Sequence, residues 1–541
     1  MTEDERMNMN SALVKAMRDA YRLGQEDEAL EPIVRVGTSG EAAGRISEGD
    51  SVIFYDIRGE REVEITQSLT EPDFSRFPVE RNLNLNFVTM IEYQSNLKVK
   101  VAFPPEGKIK NTLTEVITKQ GLSLVKVAES EKAIHVGYFM NGKNEQPFPG
   151  EKRIIVPSPD GLSSYASVPE MSSRRVARAI CEEVRNPSVP VIIGNLANVD
   201  VLGHIENRKA VLEAVESVDK ELGNIYETCC EAGITLVVTA DHGTAEEWQY
   251  PDGTINTGHT KNPVPFVIAD FAGSETAGFA DLQDNGELGD VAPTLLHLLG
   301  LPLPEEMTGK SLLPPGYGRY TMNRRILLLI LDGWGMNEDK FGNLIAEAST
   351  PNFDKIWAQY PHTVLKASGE AVGMPSGTVG NSEAGHLHIG AGRHIFLDRV
   401  RIDRAIENGS FFNNASFRWA MEKAKAAGRA LHLLGIVSHY SSHGTIDHLF
   451  ALIRMAKELG NADVFVHALI GRRGERPESG ALYVDKVESM CRSLQTGEVV
   501  TVMGRHWALD REDNWDRVEK AYGALVYGQG TPAPDSQGTF S

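Results

Sequence analysis

Short apolar runs alternate with amphipathic stretches along most of the chain. The runs at 51–55 (SVIFY), 153–156 (RIIV), 189–193 (VPVII), 235–240 (TLVVTA), 326–331 (ILLLIL) and 463–468 (DVFVHA) have the length of strands. Several are apolar at consecutive positions rather than alternate ones, the pattern of strands covered on both faces. Between them, residues 208–232 and 449–459 carry apolar side chains at helical spacing. This alternation predicts an α/β fold with mainly parallel sheets. Two seams interrupt it, at 103–107 (FPPEG) and 312–320 (LLPPGYGRY), and the tail from about Gly528 has linker composition and is expected to fray. No repeat of fixed period is present.

Composition narrows the picture. At 541 residues the chain has room for two to four domains, and 41% apolar residues suffice for a large core. Lys and Arg total 54 against 74 Asp and Glu, a formal net charge of −20. That field disfavours nucleic acid and anionic membrane as partners, and a small anionic substrate would need a local basic pocket. The four cysteines show neither CxxC nor zinc-ribbon spacing. With no long apolar run and a charged N-terminal segment, the expected location is cytoplasmic.

Candidate chemistry gathers after three strands. The run 326–331 ends in Asp332, 235–240 in Asp241-His242, and 189–193 is followed by Asp200 and His204. In open parallel sheets, ligands collect beyond the carboxyl ends of strands, so these three ends can converge on one site. Asp200 and His204 are four apart and would share a helical face. Carboxylate oxygen with imidazole nitrogen and no thiolate suits manganese or zinc at a transfer site. Each aspartate taken singly also fits a turn or cap. Ser382, in GNSEAGH at a helix start, reads either as an N-cap or as a nucleophile. No GxSxG elbow surrounds it, so as a nucleophile it would be activated through a metal.

The segments LDGWG, GNSEAGH, NLANVDVLGH, TADHGTAEE and GHTKNPVPF, with IRGER, AESEKAIHV, PEMSSRRV, HALIGRRGERPESG and MGRHWALDREDNWDRVEKAY, together resemble the cofactor-independent phosphoglycerate mutases of the alkaline phosphatase superfamily. The likeness runs from about residue 30 to about 528, but LDGWG follows ADHG here, whereas in the family it comes first. The chain therefore looks circularly permuted. The resemblance implies an alkaline-phosphatase-like parallel-sheet phosphatase domain at 108–395 and a smaller α/β transferase domain split into 1–107 and 396–541. It further implies two divalent metal ions, manganese first, with zinc, cobalt and magnesium as alternatives. One would take Asp200, His204 and His259, and the other Asp332, Ser382, Asp241 and His242. Ser382 would become phosphoserine and Lys132 would neutralise the moving phosphoryl group. Arg58, Arg61, Arg473, Arg505, Arg511 and His443 match substrate residues.

The implied enzyme is a monomeric isomerase that interconverts 3- and 2-phosphoglycerate, with domain closure keeping water out. Two loops depart from the family. Its DGRD is here Gly471-Arg472-Arg473-Gly474, which removes the aspartate thought to act as general base. Its DGGVHSH is here 439–445 (HYSSHGT), where one histidine stays in register. His439, His443 and Glu475 are the candidates to take over the proton. The changed loops leave a second reading: a relative acting as mutase, transferase or phosphatase on another phosphorylated or phosphonate hydroxy acid.

Overall fold

The computed structural model describes residues 11–81, 83–105, 107–162, 164–271, 281–314, 324–439, 441, 443–471 and 478–534. The chain divides into two compact units, Met1–Pro105 with Asp398–Ser541, and Glu106–Leu397. Each has its own apolar core around its own eight-stranded sheet. The fold is α/β, as the alternation of patterns predicts.

In the continuous unit the strands lie in the order Gly286–Glu287, His362–Lys366, Val264–Ala269, Thr235–Thr239, Ile326–Leu331, Val191–Leu196, Leu124–Glu129 and Glu151–Val156. The last five are mutually parallel, while Val264–Ala269 runs antiparallel to both of its neighbours. Ile326–Leu331 lies near the middle, buried along its whole length. That is why it reads as an unbroken apolar run. Helix Arg208–Ala232 covers the sheet with Val211, Val215, Val218, Leu222 and Ile225 on one stripe. Asn207 caps its first turn, and Gly233, at φ 62°, ends it. Strand Val191–Leu196 extends beyond the run at 189–193, because the ladder to Ile326–Leu331 continues through Gly194 and Asn195.

In the split unit the order is Thr531–Pro534, Ile33–Val36, Glu498–Gly504, Val464–Ile470, Leu431–Ile436, Ser51–Phe54, Asn86–Ile91 and Lys100–Phe103. All pairings are parallel except that of Ile33–Val36 with Glu498–Gly504. Strands from both ends of the sequence thus interleave in one sheet. The segment from Gly528, expected to fray, instead turns at φ 65° into the edge strand Thr531–Pro534. Its prolines cannot donate to a ladder on both sides, which an edge position tolerates. Residues 535–541, and those from 315 to 323, which take in the end of the second seam, lie outside the described residues. Among the described residues no helix is long and apolar enough to cross a membrane.

Candidate active site

Four adjacent parallel strands of the continuous unit deliver side chains at their carboxyl ends. Thr235–Thr239 leads to Asp241 and His242, Ile326–Leu331 to Asp332, Val191–Leu196 to Asp200 and His204, and Leu124–Glu129 to Lys132. His259 precedes Val264–Ala269, whose antiparallel direction brings its start to the same end of the sheet. Ser382 opens helix Ser382–Ala391, and Asn381 is the cap, accepting from the Ala384 N–H at 2.8 Å. Ser382 is therefore not the N-cap, and its hydroxyl is released from capping. Gly333 lets the turns after Ile326–Leu331 and Val191–Leu196 meet: at φ 80°, a Cβ there would stand 2.7 Å from the Asp200 backbone.

Asp200, His204 and His259 bring one donor atom each within 4.8 Å of one another, as do Asp200, His242 and Asp332. The Nδ1 atoms of His204 and His259 donate to the Thr257 and Gly380 carbonyls at 2.7 and 2.8 Å, and that of His242 to the Gly243 carbonyl at 3.2 Å. These bonds orient the rings and turn each Nε2 toward the cluster, where a neutral ring could ligate a cation. The Nε2 atoms of His204 and His259 stand 3.2 Å from each other and 3.2 Å from Asp200 Oδ1. His242 Nε2 lies 2.9 Å from Ser382 Oγ. Among the described residues Asp241 Oδ2 is buried without a hydrogen-bond partner. Acceptors converging without enough donors, from oxygen and nitrogen only, fit divalent cations.

One ammonium stands among the three buried carboxylates. Lys132 Nζ donates to Asp200 Oδ2 and Asp332 Oδ1 at 2.6 Å each and to Ser382 Oγ at 2.8 Å. Burial alone would make Lys132 a weaker base, but Asp332, Asp200 and Asp241 override it and hold it protonated. Burial likewise opposes ionisation of Asp200, yet Lys132, His204 and His259 keep its carboxyl well below the usual range. Asp332 goes the other way, raised by burial and by Asp241.

Two partners in this cluster escape sequence reasoning. His386 Nδ1 donates to the Ser382 carbonyl at 2.9 Å, and its Nε2 accepts from Asn195 at 3.1 Å; Asn195 also donates to Asp332 Oδ2 at 2.8 Å. Asp241, Asp332 and His386 form a further group with donors within 4.8 Å. The available signal was the four-residue spacing from Ser382 to His386, one helical turn.

The split unit repeats the arrangement with cations. Ser51–Phe54 is followed by Arg58 and Arg61, Leu431–Ile436 by His443, and Glu498–Gly504 by Arg505; these strands belong to one parallel set, Leu431–Ile436 and Glu498–Gly504 flanking Val464–Ile470 and Ser51–Phe54 lying next to Leu431–Ile436. Arg61 is made a weaker base by burial and by the charges of Arg511, Arg505 and Arg58. Glu60 accepts from Arg511 at 2.7 Å and from Arg58 at 3.4 Å, and Glu28 accepts from Arg505 at 2.7 Å. Acids therefore already sit on these arginines. His443 is buried, with Nδ1 2.7 Å from Glu62 Oε1. Arg473, Gly474 and Glu475 lie outside the described residues. Gly471 has a physical reason: at φ 98°, a Cβ would come within 2.5 Å of Glu28 Cα, so no aspartate fits there. A cavity of about 470 Å³ borders Arg511, but Glu64, Glu71, Asp73 and Asp513 line it. That lining repels a phosphorylated acid.

Comparison with known proteins adds names to this geometry. The metalloenzyme superfamily matches residues 5–303, and the BPG-independent PGAM N-terminus matches residues 402–539. A 2,3-bisphosphoglycerate-independent phosphoglycerate mutase of Synechocystis sp. is 40% identical over 316 residues, covering 58% of each chain. One of Myxococcus xanthus is 48% identical over 216 residues, 40% of this chain and 42% of that one. The chain thus matches 58% of the length of the first of these relatives and 42% of the second. Leishmania mexicana phosphoglycerate mutase, crystallised at low cobalt concentration, is 26% identical over 52% of this chain and 53% of that one, with a TM-score of 0.36.

Proposed function

The chain belongs to the metalloenzyme superfamily, and from that premise we propose that it moves a phosphoryl group between the 3- and 2-hydroxyls of glycerate through a phosphoserine at Ser382. The observation that carries this reading is Ser382 Oγ itself. Asn381 does the capping, and the hydroxyl lies 2.8 Å from Lys132 Nζ and 2.9 Å from His242 Nε2, among three buried aspartates. Similarity to phosphoglycerate mutases over about half their length supports the substrate class.

Asp200, His204 and His259 would hold one divalent ion, and Asp332, Asp241, His242 and Ser382 the other, with manganese as the first choice. Such ions supply positive charge that favours the serine alkoxide and stabilises the phosphoryl oxygens. The chain's own residues do the rest. Ser382 attacks phosphorus while the bond to the glycerate oxygen breaks. Lys132 neutralises charge on the moving group. Arg58, Arg61, Arg505 and Arg511, with Arg473, hold the carboxylate and phosphate by paired N–H donors while the second hydroxyl attacks phosphoserine. The substrate's anions would have to replace Glu60 and Glu28 on those arginines.

The same reading takes the chain as a circular permutant, with the phosphatase part at 108–395 and the transferase part at 1–107 and 396–541. Supporting it, the match described as an N-terminus falls in the last third of this chain, at 402–539. A cytoplasmic monomer is part of the proposal. A coupled enolase assay with manganese tests it: conversion of 3-phosphoglycerate is expected, and Ser382→Ala should lower it by at least about 10⁴-fold. A protein that binds manganese but leaves 3-phosphoglycerate unchanged would sink the reading. Gly471 and Gly474 favour a second reading, another phosphorylated or phosphonate hydroxy acid, which conversion of such a compound in its place would support.

A further inference from the structure

We infer that His443, oriented by Glu62, is the proton carrier for the glycerate hydroxyls in the split unit. The inference rests on the mutase reading above. Exchange of a phosphoryl group between two hydroxyls needs one group to protonate the departing oxygen and to deprotonate the attacking one. Gly471 and Gly474 have no side chain for the task.

The geometry around His443 supplies what such a group needs. Glu62 lies at the start of helix Val63–Thr70; its Oε2 accepts from the Arg61 N–H at 3.1 Å, which turns Oε1 onto His443 Nδ1 at 2.7 Å. The His443 backbone is held on both sides, its N–H donating to Ser441 Oγ at 3.1 Å and its carbonyl accepting from the Ile57 N–H at 2.6 Å. Among the described residues Nε2 takes no hydrogen-bond partner. Asp56 completes a buried group whose donor atoms lie within 4.8 Å of those of Glu62 and His443. Burial weakens the basicity of the ring, and the charges of Arg505, Arg58 and Arg61, residues proposed to hold glycerate, add to that. A carboxylate behind an imidazole whose far nitrogen is unused is a base with its orienting group.

Proton accounting closes over one cycle. With two protons shared between Glu62 and His443, Nε2–H donates to the oxygen that leaves phosphorus as Ser382 Oγ bonds to it. The pair then keeps one proton, on Nδ1 against the Glu62 carboxylate, and Nε2 holds a lone pair. The second hydroxyl gives its proton to Nε2 as its oxygen bonds to phosphorus, and the electron pair of the breaking bond returns to Ser382 Oγ. Burial raises Glu62 to about 8, which places the exchange of the pair near neutral pH. His443 is thus the catalytic group and Glu62 a positioning residue.

The test is the pH profile of 3-phosphoglycerate conversion by the full-length manganese-loaded protein and two variants. His443→Gln should lower kcat by about 10²–10⁴-fold with a KM change under about threefold. Glu62→Gln should lower kcat less and move the basic limb of the profile to lower pH, because the imidazole loses its carboxylate partner. A His443→Gln protein that keeps more than half of kcat would overturn the inference. So would a Glu62→Gln protein weakened equally at every pH with its limb in place, and that profile decides the matter if His443→Gln does not fold. Wild-type protein inactive on 3-phosphoglycerate would overturn the mutase reading, and this inference with it.

Discussion

Ser382 and Lys132 show how much a single residue's role depends on its neighbours. Three aspartates after apolar runs were legible because a strand end is marked in the sequence by an abrupt apolar-to-acidic step. Asn381 was not, since Asn and Ser are both good caps and only the backbone decides which one caps. Lys132 should carry a stability role that bound metal shares. Replacing it with Met leaves Asp200 and Asp332 buried without their ammonium, and losing one partner of a buried pair costs about 3–5 kcal/mol. The unfolding temperature of Lys132→Met should therefore fall further below wild type in chelator than in manganese. Equal losses in both would show that cations do not replace the ammonium. Glu62 offers a second residue-scale prediction. Burial raises it from 4.5 to about 8, while His443 is pushed by burial from 6.5 down to about 4. Between 4.5 and 6.5 the two oppose each other: the folded chain keeps the Glu62 proton but refuses the His443 proton. Between 6.5 and 8 only Glu62 counts, and it makes the folded state bind more protons than the unfolded one. Stability must then fall as pH rises through that window, by up to about 2 kcal/mol. Denaturant unfolding at pH 6.5 and 8.5 should show this fall in wild type and a smaller one in Glu62→Gln.

At the scale of elements, the close approach of turns decides which residues meet. The six-residue run Ile326–Leu331 was readable as a strand because burial on both faces leaves it no polar position. The partners it brings together, Asp332 with Asp200, depend on a backbone contact through Gly333 that sequence periodicity does not encode. The same holds for Gly471, whose missing side chain is explained only by the Glu28 backbone packed against it. Edge strand Thr531–Pro534 escaped for a related reason. Its composition is that of a linker, and only the vacant side of Ile33–Val36 makes it a strand. Gly333→Ala tests the turn contact. The substitution strains φ 80° and sets a methyl 2.7 Å from the Asp200 N and Cα. Asp200 must then shift away from His204 and His259. Manganese affinity measured by calorimetry should weaken at least tenfold, equivalent to about 1.4 kcal/mol. Unchanged affinity would mean that Asp200 does not hold the ion.

The whole molecule separates into one continuous and one composite unit, and that asymmetry has consequences for folding. Residues Glu106–Leu397 follow one another without interruption and close their own sheet and core. Every strand that leads to Asp200, Asp241, Asp332 or Lys132 lies inside this span, as do His204, His259 and Ser382. The other unit must bring Met1–Pro105 together with Asp398–Ser541, and one of its pairings joins Ser51–Phe54 to Leu431–Ile436 across about 380 residues. Closing so long a loop costs entropy before any contact forms, so this unit should form later and open sooner. Limited proteolysis should therefore release a resistant fragment of about 106–397. Expressed alone, that fragment should still be stabilised by manganese, by about 2.7 kcal/mol at a concentration one hundred times its dissociation constant. It lacks Arg58, Arg61, His443, Arg505 and Arg511, and should convert no 3-phosphoglycerate while still cleaving an activated aryl phosphate. A fragment that folds but gains nothing from manganese would place the metal ligands elsewhere, and one that converts 3-phosphoglycerate unaided would remove the arginines from the reaction.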